Sequence, residues 1–158
     1  MTAPLSFGEE RLWWLQQLDA DSVAYNIVLA LRFPAGVVRP ALVAALARLV
    51  QRHEVLRTRY VPDASGTPHR VVVASFAPPC TWSSTPAGGR WQDAVPDAAR
   101  PFDLAVAPPV RVTVVDDEVV VLVMHHIVVD GRSLPILQRD LAALYEVLAH
   151  LTSDPQPT

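Results

Sequence analysis

From Tyr25 to Phe33 the apolar residues Tyr25, Ile27, Leu29, Leu31 and Phe33 alternate with Asn26, Val28, Ala30 and Arg32, the period of a strand with one more polar face. Beyond it the period changes. Leu42, Ala45, Leu46, Leu49 and Val50 recur at helical spacing behind Pro40, a residue suited to a first helical turn, and predict a helix ending near His53. An earlier helix is predicted from Ser6 to about Leu18, because Ser6-Phe7-Gly8-Glu9 has the form of a capping box: the serine hydroxyl takes the Glu9 amide and the glutamate reaches back to the Ser6 amide.

Leu56 to Val61 reads as a strand, the turn formers Asp63 to Pro68 reverse the chain, and His69 to Phe76 returns as a hairpin partner. Proline, glycine and serine dominate between Ala77 and Arg100, where only a short helix over Arg90 to Ala99 is predicted. Val110 to Val115 and Val119 to Met124 are β-branched and aliphatic runs joined by Asp116-Asp117-Glu118, a hairpin whose second strand is buried on both faces. Leu137, Leu141, Leu144, Tyr145 and Leu148 then mark a long amphipathic helix with Ser133 as its N-cap, and residues 152–158 read as a flexible tail. Helices alternating with hairpins place the chain in the α/β class.

At 158 residues one domain is expected. The single cysteine, Cys80, cannot form an internal disulfide, and no run approaches the ~20 apolar residues of a membrane span, so a cytoplasmic protein with no membrane partner is expected. Net charge is -3, and the thirteen basic residues, all arginine, are scattered; no nucleic-acid partner is expected.

The chemistry concentrates in His125-His126-Ile127-Val128-Val129-Asp130-Gly131, which directly follows the second valine run. Two imidazoles and a carboxylate thus sit at the C-terminal end of a buried strand, where ligands collect in open α/β sheets. Consecutive strand side chains face opposite ways, so one of the two histidines is open to a cleft. A histidine ending a buried strand is by default a satisfied structural residue, the reading taken for His125; His126, on the other face, is the candidate for chemistry. Asp130 either caps the turn or braces the loop through a buried arginine. No metal site is expected, because adjacent histidines do not readily share one zinc and no Cys, His or acidic cluster has ligand spacing.

Three further segments join this one: Leu5 to Leu15 (LSFGEERLWWL), Arg52 to Thr58 (RHEVLRT) and Arg100 to Leu104 (RPFDL). In order and spacing, the four resemble the motifs of the condensation domains of nonribosomal peptide synthetases, within the chloramphenicol acetyltransferase-like superfamily. Departures are Glu9, where that family usually has glutamine, and Arg132, where it usually has tryptophan.

The resemblance implies a single chloramphenicol acetyltransferase-like lobe, a mostly antiparallel or mixed sheet packed with helices. Residues 1–151 would be the N-terminal lobe, without the C-terminal lobe that completes the tunnel and therefore inactive when alone. It also implies attack of an acceptor amine on a donor acyl thioester, both held on phosphopantetheine arms of peptidyl or aminoacyl carrier proteins, with no cofactor bound directly. His126 would be the catalytic residue, positioning the amine or accepting its proton; His125 would be structural. Asp130 would hold the loop through a salt bridge to Arg57, or failing that Arg52, and Gly131 would allow a special backbone geometry and turn its amide to the thioester oxygen. Two alternatives stay open: a free-standing coenzyme A-dependent acyltransferase, against which Arg52 to Thr58 argues, and a non-catalytic module that binds a carrier protein or neighbouring domain.

Overall fold

A computed structural model of the chain describes residues 2–153. In order, the elements are β1 (Thr2–Pro4), α1 (Phe7–Leu18), β2 (Asn26–Arg32), α2 (Arg39–Arg52), β3 (Thr58–Pro62), β4 (Pro68–Val72), β5 (Cys80–Ser83), β6 (Val110–Val115), β7 (Val119–His125) and α3 (Ser133–Ser153), with 3-10 turns at Glu54–Arg57, Trp91–Ala94 and Pro96–Ala99. The strands form a four-stranded sheet in the order β2-β7-β6-β5 and a three-stranded sheet in the order β1-β4-β3. All pairings are antiparallel except β5 with β6. The mixed α/β class expected from the sequence is the class observed.

Every residue of β6 is buried, as is β7 beyond its first residue, which is why both read as unbroken apolar runs rather than alternating ones. Their hairpin closes through Asp116 and Asp117 at φ 55° and 54°, the left-handed pair that matches the twist of the strands it joins. Around these central strands lie the buried stripe of α2 (Leu42, Ala45, Leu46, Leu49, Val50) and Leu137 and Leu141 of α3, all in one core. The capping box of α1 is formed: Ser6 N donates to Glu9 Oε2 at 2.8 Å and Glu9 N to Ser6 Oγ at 3.4 Å.

Local departures have physical causes. Leu56 lies in a 3-10 turn rather than a strand, because Thr58 Oγ1 turns back to the Glu54 carbonyl at 2.8 Å and delays extension to Thr58. The helix expected over Arg90 to Ala99 is two 3-10 turns that meet at Val95 and Pro96, since proline brings no amide to continue a helical ladder. Strand β5, hidden in the proline-rich stretch, is held from one side only, by β6. Helix α3 continues to Ser153, so the first two residues of the expected tail are helical, and residues 154–158 lie outside the described residues. Among the described residues no helix is long and apolar enough to cross a membrane.

Arg111 is the charged member of the β6 core. It is 9% exposed, its guanidinium stacks 3.8 Å from the centre of the Phe102 ring, and it donates to the carbonyls of Asp97 at 3.2 Å, Arg100 at 3.1 Å and Pro101. One side chain therefore satisfies three carbonyls of the segment that enters β6 and ties Arg100 to Leu104 to the sheet. Arg111→Met keeps the stem but leaves the Pro101 carbonyl without its donor, while the Asp97 and Arg100 carbonyls keep only Arg100 N and Asn26 Nδ2, and is expected to cost about 2 to 4 kcal/mol in urea titration. Asp130→Ala, at an exposed helix cap, is expected to cost clearly less in the same titration; the reverse ranking would contradict this assignment.

Candidate functional site

β7 ends at His125, which is 1% exposed between the rings of Tyr25 and Phe102 at 6.0 and 6.4 Å. Its Nδ1 accepts the Ile127 amide at 3.0 Å, so in the neutral ring the proton sits on Nε2, which donates to Gln16 Oε1 at 3.1 Å. Burial, and secondarily the neighbouring His126, push its pKa down to about 4. The chain bends here: Val128 N donates to the His125 carbonyl at 3.0 Å and His126 N to the Tyr25 carbonyl at 2.8 Å.

His126 is half-buried on the turn that follows. Its Nδ1 lies 2.7 Å from the Val129 carbonyl. A carbonyl only accepts, so Nδ1 carries the proton and the Nε2 lone pair of the neutral ring is left for other work. His126, Asp130 and Ser133 share a depression of about 300 Å³ with Ser6, Glu9 and Leu12 at the start of α1. A larger hollow of about 560 Å³ lies between the end of β2 and α3, but no histidine, cysteine or serine lines it. Among the described residues no group of three or more His, Cys, Asp or Glu is placed to hold a metal ion.

The bridge expected between Asp130 and Arg57 does not form. The exposed Asp130 carboxylate turns onto its own loop, where Oδ1 accepts from Ser133 Oγ at 2.6 Å, Ser133 N at 2.8 Å and Arg132 N at 3.0 Å, and so caps α3 in place of Ser133. Those bonds, the Ser133 hydroxyl first, hold its carboxyl below the usual carboxylate range. Arg57 instead donates to the Val73 carbonyl at 2.7 Å and to Glu54 at 3.1 Å. Arg52 is also engaged elsewhere: it lies 3.3 Å from the buried Asp140 carboxylate of α3, which His53 and Arg139 approach at 3.0 and 2.8 Å. Gly131 is not in the left-handed region and a Cβ there would meet nothing within 4 Å, so the special backbone geometry expected of it is absent.

Two residues that sequence reasoning passed over support the loop. Gln16 is 3% exposed and receives His125. Tyr60 is fully buried, and its hydroxyl lies 3.2 Å from Glu9 Oε1 and 3.4 Å from the Ile127 carbonyl, linking the first turn of α1 to the bend. Burial, then the Glu9 charge, hold the Tyr60 phenol protonated. The available signal for Gln16 was a glutamine three positions after Trp13, on the inward face of α1.

His125 makes stability depend on pH with a definite sign. Its folded pKa lies below the ordinary 6.5, so its contribution is complete above about pH 6.5 and is lost as pH falls toward about 4. The loss expected from this residue is at most about 3 kcal/mol. Urea titrations at pH 7 and pH 4.5 should show a smaller loss in His125→Asn than in the parent; equal losses would contradict a buried neutral ring.

Sequence comparison supplies the family. The family described as "Condensation domain" matches residues 1–158. The chain is 38% identical over 152 residues to the phosphinothricin tripeptide synthetase PhsC of Streptomyces viridochromogenes, covering 89% of this chain and 14% of that protein. It is 39% identical over 153 residues to a dimodular nonribosomal peptide synthase of Bacillus subtilis, covering 93% of this chain and 6% of that one. Among solved structures, the first condensation domain of the calcium-dependent antibiotic synthetase, in complex with a substrate analogue, superposes with a TM-score of 0.80 at 23% identity, over 100% of this chain and 40% of that chain. The starter condensation domain of rhizomide synthetase gives 0.78 at 24% identity, over 95% and 38%. The chain thus spans well under half of each of these proteins, yet the family match runs along its whole length: it belongs to the condensation-domain family of nonribosomal peptide synthetases.

Proposed function

We propose that residues 1–151 form the N-terminal lobe of a two-lobe condensation domain and that His126 serves peptide-bond formation at the end of β7. The observation that carries this reading is the fixed Nδ1 proton of His126: with Nδ1–H donating to the Val129 carbonyl, the Nε2 lone pair beside the depression is the one available to an incoming amine. The open space over Gly131 leaves room for an acyl group next to it.

In this reading the acceptor α-amine attacks the donor thioester carbon, each substrate carried on the phosphopantetheine arm of a carrier protein. A free α-amine has a pKa of about 7.7 to 8.0, so a useful fraction is neutral near pH 7 and attack needs no strong base. The C–N bond forms, the added nitrogen gives a proton to His126 Nε2, and collapse of the tetrahedral intermediate breaks the C–S bond. The departing arm thiolate then takes up a proton. The hydrogen bond from Nδ1 to Val129 strengthens when the ring becomes cationic, which favours the proton-accepting state. Asp130 acts here as a helix cap that fixes the loop, not as a base.

The test uses the complete condensation domain with donor- and acceptor-loaded carrier proteins. His126→Ala is expected to lower peptide formation by at least ~100-fold, the typical worth of a positioned proton-transfer group, with thermal denaturation unchanged. The 158-residue chain by itself is expected to give no peptide, because half the orienting surface is absent. His126→Ala within a few-fold of the parent, or a lone chain working at the parent's rate, would overturn the proposal. Turnover of acyl-coenzyme A with a hydroxyl acceptor, and none with loaded carriers, would replace it with an acyltransferase.

A further inference from the structure

Gln16 is a buried amide placed between the end of α1 and the end of β7. Its NH2 group lies 3.4 Å from the Asp19 carbonyl and 3.0 Å from the Ala20 carbonyl, just past the helix, and two acceptors there require that the nitrogen face them. The amide oxygen is therefore turned to His125 Nε2 at 3.1 Å. A fixed acceptor at Nε2 demands the Nε2-protonated ring, and only that tautomer leaves Nδ1 free to accept the Ile127 amide at 3.0 Å. In the other tautomer, an N–H on Nδ1 would confront the Ile127 N–H, and the bend that follows His126 would lose its anchor.

We infer that Gln16 is a positioning residue for the His126 loop: it selects the tautomer of His125 whose Nδ1 holds Ile127, and so sets where His126 stands. This rests on the proposed role of His126. Gln16 touches no reacting atom, and its effect passes through one ring to a backbone amide.

Two measurements test it. The first is ring-nitrogen NMR of the 158-residue chain labelled with 15N-histidine. The parent is expected to show His125 protonated on Nε2, and the near-isosteric Gln16→Met to show a mixture or the Nδ1-protonated ring. The second is kinetics of the complete condensation domain. Gln16→Met is expected to lower kcat about 10- to 100-fold, the range for a small misplacement of a reacting group, with KM for the loaded carriers little changed. In a His125→Asn background the asparagine oxygen accepts the Ile127 amide whatever stands at position 16, so Gln16→Met should there cost almost nothing more. A packing role for Gln16 would instead give the same loss in both backgrounds.

Overturning results are a parent His125 protonated on Nδ1, a Gln16→Met ring still protonated on Nε2 with kcat unchanged, or additive losses in the double variant. Failure of the His126 reading is distinguishable. It would appear as full activity in His126→Ala, while the tautomer of His125 and its response to Gln16→Met are read without any turnover.

Discussion

The site depends on one neutral imidazole held between two hydrogen bonds. His125 gives its Nε2 proton to Gln16 and takes the Ile127 amide on Nδ1, and both bonds lie in a buried setting where an unmet partner is costly. Protonation would place a donor where Ile127 needs an acceptor and would put a charge among apolar neighbours; burial prevents both by pushing the pKa down to about 4. The ring can thus act as a rigid, uncharged connector near neutral pH.

The rest of the structure supplies the frame. β6 and β7 are buried almost throughout, so the place where β7 stops is fixed in the core rather than on a mobile edge. From the other side come Tyr60, which reaches the Ile127 carbonyl, and Glu9, which holds both the first turn of α1 and the Tyr60 hydroxyl. Beyond the bend, Asp130 begins α3 by capping it. The two histidines differ because a strand end gives consecutive residues different surroundings: one ring is sealed in the core, and the next stands beside a depression.

The sequence made the frame legible where one physical signal dominated. The capping box at Ser6, the alternation through β2, the stripe of α2 and the valine runs of β6 and β7 each reflect a single period or local bond, and each element lies where that signal puts it. β5 was not legible, because four residues paired parallel on one side carry no period of their own and their partner is distant in sequence. The pairing of Asp130 was misjudged for a related reason. Asx capping of the following turn satisfies the carboxylate locally with three donors, and Arg57 and Arg52 are taken by Glu54, Val73 and Asp140. Gln16 and Arg111 escaped notice because a buried polar side chain announces itself only through partners that the fold brings together.

Hydrogen exchange at the Ile127 amide tests the central claim most directly, because that amide is bonded to His125 Nδ1 and to no backbone carbonyl of the sheet. The account expects strong protection at pH 7 that is lost as pH falls through about 4, while amides within β7 such as Val121 stay protected. An Ile127 amide that exchanges freely at pH 7, or that keeps its protection unchanged below pH 4, would contradict it.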